Sequence, residues 1–212
     1  MNRDSIVNNT DFRTATFQSD SRGASQNLLV AVRAGIVLML LCGGLYTGMV
    51  TQLGEWIFPH QATGSLVQEN GRNLGSEWVG QSFVSPNYFH GRPSAANYDP
   101  MATGGSNLAP SNPELRAVVE QRSLIIQEQE GTKANTIPVD LLSASGAGLD
   151  PHISPDAALL QAPRIARVRN LSETQIKSLI TEYIEMPQWG ILGQKRVNVL
   201  KLNLALDKLQ KN

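Results

Sequence analysis

Ala34-Gly35-Ile36-Val37-Leu38-Met39-Leu40-Leu41-Cys42-Gly43-Gly44-Leu45-Tyr46-Thr47-Gly48-Met49-Val50-Thr51-Gln52-Leu53 runs for twenty residues without a charge, and Leu28 to Val32 extends it behind Arg33. At about 1.5 Å of rise per residue, a helix of about 20 residues crosses a hydrocarbon core of roughly 30 Å. The stretch is too long and too uniformly apolar for a typical core helix. A long polar tail precedes it, and no small-x-small cleavage pattern follows it, so it reads as a retained anchor and not a removed signal. The expected organisation is a disordered cytoplasmic tail over 1–27, a transmembrane helix over 28–53, and one folded domain over 54–212.

Basic residues set the expected orientation. Arg3, Arg13, Arg22 and Arg33 precede the span, whereas only Arg72 lies in the twenty or so residues after it. The positive-inside rule then places the N-terminus in the cytoplasm and the domain outside a cell or inner membrane, as a single-pass protein. Trp56 and Phe58 fall either at an outer aromatic belt or against the domain. The 212-residue chain has no formal net charge, and its 14 basic and 15 acidic residues beyond the span nearly cancel, so it lacks the basic footprint of a nucleic-acid binder. One cysteine, Cys42, excludes an intrachain disulfide and a thiolate zinc site.

Beyond the span, local signals predict short elements. Leu66 to Gly80 carries apolar pairs interrupted by Asn70-Gly71 and Leu74-Gly75, as in short strands joined by tight turns. Asn112 and Pro113 open a helix whose apolar positions recur until Gly131. Ser154-Pro155-Asp156 opens another, with Pro163 expected to break or kink it. Ser172 and Gln175 form a capping box for a helix to about Glu185, ended by Pro187. Val197 to Leu209 fits a helix and also alternates as a strand does; its length favours helix. The sum is an α+β architecture: a single N-terminal transmembrane helix followed by one mixed helix and short-strand soluble domain.

The chemistry-bearing tract is Tyr88-Phe89-His90-Gly91-Arg92-Pro93-Ser94-Ala95-Ala96-Asn97-Tyr98, continuing through Gly104-Gly105-Ser106-Asn107-Leu108 to Ser111-Asn112-Pro113. Gly, Pro, Asn and Ser make it a loop, yet its aromatics and arginine make it more than a linker. Tyr88, Phe89, Arg92 and Tyr98 are either partner contacts or pins that hold the loop to the core. Gly104, Gly105, Ser106 and Asn107 offer either an anion nest or a tight turn before the 112 helix. Asp140, Asp150 and His152 suggest acid–base chemistry, although Asp before Pro151 suits a turn and Asp140 suits a helix cap. Gln161 and Arg164, near a helix start, fit either role. The three histidines show no ligand spacing. The chain carries neither a P-loop nor a G-x-S-x-G elbow. No self-contained catalytic site emerges, which points to a non-catalytic accessory subunit.

The same tract resembles the C subunit of the Kdp-type potassium-transporting ATPase, whose block reads YFxGRPSAxxY and then SGGSNLxPxNP. Pro138 through Ser145-Gly146 and Gly148-Leu149-Asp150-Pro151-His152-Ile153-Ser154 resembles that family's VPxDLxTxSxSGLDPHIS. Arg196 to Leu200 with Leu202 to Asp207 resembles its C-terminal block. Thr103 and Ala147 stand where the family usually has Ser. The resemblance implies a single-span subunit assembled with a channel-like potassium-binding subunit, a P-type ATPase subunit and a small single-span subunit, in high-affinity potassium uptake. It implies that ATP and potassium are handled by the complex, since the phosphorylated Asp-Lys-Thr-Gly motif is missing here. Three functions follow as alternatives: a stabilising cap over the potassium entrance, a catalytic chaperone raising the pump subunit's ATP affinity, and an anchored external hydrolase using Asp140, Asp150 or His152.

Overall fold

A computed structural model describes residues 23–69 and 71–211. The expected tail over 1–27 therefore lies mostly outside the described residues. The chain divides between Ile57 and Phe58, past the expected Leu53.

In the N-terminal unit the described residues from Ala24 on form one continuous helix, whose Ser25–Ile57 stretch is long and apolar enough to cross a membrane, with none of its apolar window buried within the protein. It comprises α1 (Ala24–Leu38), a π-helical stretch (Met39–Tyr46) and α2 (Thr47–Ile57). In the wider π turn the Thr47 hydroxyl donates to the Cys42 carbonyl five residues back, at 2.8 Å.

The second unit begins with α3 (Pro59–Ala62) and an antiparallel hairpin of β1 (Leu66–Glu69) and β2 (Arg72–Ser76). Leu74-Gly75, expected at a turn, lies inside β2. The register passes from Val67↔Gly75 to Gln68↔Asn73, so Leu74 is the extra residue of a bulge. After the long loop come α4 (Pro113–Glu130), α5 (Val139–Leu142), β3 (His152–Ile153), α6 (Pro155–Arg169), α7 (Glu173–Glu182), β4 (Ile184–Glu185), β5 (Arg196–Asn198) and α8 (Val199–Lys211).

The capping signals take the expected form. The Asn112 side chain accepts from Glu114 N, and Gly131 closes α4 in the left-handed region at φ 65°. Ser154 caps α6, and Ser172 with Gln175 forms the reciprocal box of α7. Two expectations are corrected. Pro163 does not break α6: Gln161, Ala162, Arg164, Ile165 and Ala166 are buried around it, and that packing outweighs one lost backbone bond. The helix expected to reach Glu185 ends at Glu182, because Ile184 and Glu185 pair with Val197 and Arg196. The C-terminal segment is the helix that its length favours from Val199 onward, preceded by the three-residue strand β5.

The sheet runs β3-β5-β4, antiparallel throughout. Its central Val197 packs with Ala162, Ile165 and Ala166 of α6, Ile176 and Ile180 of α7, and Leu202 and Leu206 of α8 in one core. Small residues on α6 let its neighbours approach closely. Phe89, from the long loop, is fully buried in that core. The loop is therefore anchored at its first turn.

Candidate functional site

Helices α6 and α8 hold the tract by its backbone. The Asn203 amide accepts from Phe89 N at 2.8 Å and donates to Phe89 O at 3.0 Å. One residue on, Gln161 accepts from His90 N at 2.8 Å and donates to His90 O at 3.1 Å. Each buried amide thus satisfies both backbone groups of a residue that no strand pairs.

Arg164 completes the clamp from the next turn of α6. It donates to the carbonyls of Pro86 and Tyr88, to Gln161 Oε1 at 2.9 Å and, through Nε, to Glu130 Oε1 of α4 at 2.8 Å. Arg164 and Glu130 are both almost entirely buried. Burial raises the Glu130 carboxyl above its ordinary value, and the Arg164 bond opposes that rise. Burial and then the charge of Arg164 hold His90 below the usual imidazole value. The neutral ring donates from Nε2 to the Ser85 carbonyl. Arg169 donates to Asn87 O, pairs with Asp207 at 2.8 Å and lies 4.8 Å over the Tyr88 ring. The Tyr88 hydroxyl also donates to Asp207.

Farther along, the loop is laced to 140–154. Arg92 pairs with Asp150 at 2.9 Å, while the other Asp150 oxygen accepts from His152 N as an Asx turn does. Burial alone would raise the Asp150 carboxyl; bonds from the His152 ring and backbone, and from Arg92, bring it down to about 2. Tyr98 donates to the Arg92 carbonyl, and Ser94 Oγ donates to Gly148 O at 2.7 Å. Asp140 accepts from both Ser154 N and Ser154 Oγ, so it supports the α6 cap.

Gly104-Gly105-Ser106-Asn107 forms no tight turn at its start, and the Gly104 amide is already engaged. It runs alongside 145–148: Gly104 N donates to Ala147 O at 3.0 Å, and a Cβ on Gly105 would meet Gly146 O at 3.0 Å. Close backbone approach explains Gly105, whereas a Cβ on Gly104 would meet nothing within 4 Å. Ser106 and Asn107 are exposed, Asn107 in the left-handed region at φ 53°.

Two clefts flank this lattice. One of about 330 Å³ lies among Phe83, Arg92, Ile125, Ile126, Glu130 and Leu141. The other, about 580 Å³, joins Arg92, Asp140, Asp150, His152, Lys195 and Arg196. His152 Nδ1 stands 3.4 Å from Asp150, and no hydroxyl or thiol bonds to a histidine ring among the described residues. Among those residues, no three His, Cys, Asp or Glu side chains group as metal ligands. Among the described residues, these side chains fix loop backbone and cap a helix.

The model of the family described as "K+-transporting ATPase, c chain" matches residues 28–208. The chain belongs to this KdpC family. It is 57% identical over 188 residues to the potassium-transporting ATPase KdpC subunit of Shewanella putrefaciens strain CN-32, covering 89% of this chain and 94% of that protein. It is 49% identical over 178 residues to the subunit of that name from Methylococcus capsulatus strain Bath, covering 82% and 94%. To the Escherichia coli strain 55989 subunit it is 47% identical over 187 residues, covering 87% and 98%.

Against the KdpC pattern, the Ala147 departure falls on a residue that acts through its carbonyl, so the missing hydroxyl costs the lattice no bond seen here. Of the residues singled out from sequence, all but Ser106 and Asn107 are tied into this lattice or packed beneath it. Sequence reasoning missed Asn203, Arg169, Asp207 and Glu130. The only prior signal for Asn203 is a polar residue among Leu202, Leu204, Ala205 and Leu206, on a helix whose partners are distant in sequence.

Proposed function

We propose that this chain is a non-catalytic subunit of a potassium-transporting ATPase, with its folded domain outside the membrane, where it stabilises the assembly and caps the potassium entrance of a channel-like subunit. The observation that carries the reading is the use of the tract's functional groups. Arg92, Asp140, Asp150, Gln161 and Arg164 are spent on fixing loop backbone and capping a helix, which suits a shaped docking surface better than a reaction centre. The arginines before the apolar helix support an outside domain. A P-type ATPase subunit and a small single-span subunit complete the proposed complex, in which ATP is bound by the partner.

The competing reading is a chaperone that raises the pump's affinity for ATP through Gly104 to Asn107. Ser106→Ala separates the two. Ser106 is exposed, so the variant should fold normally. The cap reading expects the assembled pump to keep its KM for ATP within about twofold. A rise of about tenfold, equivalent to about 1.4 kcal/mol of lost binding, supports the chaperone and contradicts the cap.

A further inference from the structure

The largely buried imidazole of His152 stands between two carboxylates, one at each ring nitrogen. Nδ1 lies 3.4 Å from Asp150 Oδ1, and Nε2 lies 3.6 Å from Glu185 Oε2. The register explains the meeting. His152 pairs with Asn198 and Glu185 with Arg196, so both side chains leave one face of the sheet, from the strands on either side of β5. Nε2 is buried and has no hydrogen-bond partner among the described residues. A neutral imidazole has one N–H. Whichever nitrogen carries it, the other turns a lone pair toward a carboxylate. Only the imidazolium donates at both ends. The other charges nearby belong to the carboxylates. Arg196 pairs with Glu185 at 2.9 Å, and Lys201 of α8 lies 3.9 Å from its second oxygen. Arg92 pairs with Asp150 at 2.9 Å, while Asp140 and Lys195 line the same cleft. Glu77, next to the Trp78 ring that tilts toward His152 at 6.0 Å, takes Lys201 at 2.6 Å and His60 at 2.9 Å.

We propose that His152 is a proton-operated clasp: charged, it ties Asp150 to Glu185 of β4, and uncharged, it releases one of them. The two ends of the clasp are moored elsewhere. Asp150 holds Arg92 of the 88–113 tract, and Glu185 is linked through Lys201 to Glu77. A proton on one ring thus completes an alternating series of cations and anions from the loop to α8 and the end of the hairpin. His60 is half exposed, so its own bond to Glu77 adds little. Histidine is the side chain that ordinarily changes charge between about pH 5 and 8. Asp150 does not titrate there: burial would raise its carboxyl, and bonds from the His152 ring and backbone and from Arg92 bring it down to about 2. Bonds from Lys201 and His60 hold Glu77 below its ordinary value. The sign follows from which form has partners. The charged ring gains a bond that the neutral ring lacks, so the fold gains stability as pH falls and loses it as pH rises. The step from ring charge to the acidity of the medium rests on the outside placement proposed above: acid then tightens the hold on 88–113, and alkali loosens it.

The test is thermal melting of the full chain in detergent, wild type beside His152→Gln, at about pH 5.5 and about pH 8. Glutamine keeps a hydrogen-bonding side chain that cannot take a charge. The wild-type advantage should be larger at the acid pH by roughly 3 °C, as expected of one partly buried ion pair in a chain of this size. Glu185→Gln supplies an amide that can donate to the uncharged Nε2. The wild-type advantage over that variant should therefore also narrow as pH rises, and this comparison carries the test if His152→Gln does not fold. An advantage that is the same at both pH values, or that grows toward pH 8, overturns the clasp. A pH-dependent advantage over His152→Gln that is missing with Glu185→Gln assigns the effect to Asp150 alone and overturns the two-ended form. The melt needs neither a bilayer nor partner subunits, so those outcomes leave the placement and subunit readings as they stand.

Discussion

Replacing Arg164 with alanine is expected to destabilise the folded domain by about 3–5 kcal/mol, the range found when one partner of a buried ion pair is removed. The change strands Glu130 Oε1 and frees the Pro86 and Tyr88 carbonyls and Gln161 Oε1 together. Melting of the full chain in detergent should fall by roughly 10 °C, taking about 2–4 °C per kcal/mol at this size. The loss should depend on pH in a defined direction. The Glu130 carboxyl is raised by burial and held down by Arg164, so removing the arginine lets it rise further. A raised carboxyl destabilises through its charged form, which disappears as pH falls through the folded value. The deficit of Arg164→Ala should therefore shrink from neutral toward acid pH, and Glu130→Gln in the same chain should recover part of it at neutral pH. A deficit below about 1 kcal/mol would mean that water replaces the guanidinium and that the clamp is not buried as described.

The second large effect is expected at Asn203. Leucine has the branched outline of asparagine with methyl groups in place of the amide, so Asn203→Leu removes both bonds to Phe89 and leaves no cavity, at the cost of some overpacking. It leaves a buried N–H and a buried C=O unsatisfied, at about 1–3 kcal/mol each. Urea denaturation should show the midpoint falling with the slope unchanged, for a total of about 2–6 kcal/mol. Because Phe89 is the loop's anchor in the core, proteolysis within 85–112 should also accelerate. A midpoint shift within about 0.5 kcal/mol of wild type would show that Phe89 is held by its ring alone.

The contrast between Asn203 and Gln161 marks what the sequence can disclose. Elements with local causes are legible: Asn112, Gly131, Ser154 and the Ser172–Gln175 box each act within four residues of themselves. β3, β4 and β5 are two or three residues long, too short for any alternation to register. Their existence depends on pairing between segments more than ten residues apart, so the end of α7 at Glu182 and the strand before α8 stay hidden. Pro163 illustrates the reverse case, a strong local breaker overridden by burial on both sides of it. In the site, composition alone marks 88–113 as a structured loop, and Arg92, Tyr98 and Asp150 are identifiable as its polar pins. Their bonding partners are not, because a side-chain amide clamping a distant backbone leaves no periodicity. Gly104-Gly105 was readable as a place for special backbone but not as a packing contact with Gly146.

The side of the membrane that the domain occupies separates the two roles, since an outside domain can cap a potassium entrance and cannot touch cytoplasmic ATP. Lys133 is exposed, beyond the left-handed Gly131, so Lys133→Cys in a Cys42→Ala background provides the only thiol in the chain without strain. An impermeant maleimide added to intact cells should label it as fully as it does after lysis. Labelling that appears only after lysis would place the domain in the cytoplasm and contradict the cap.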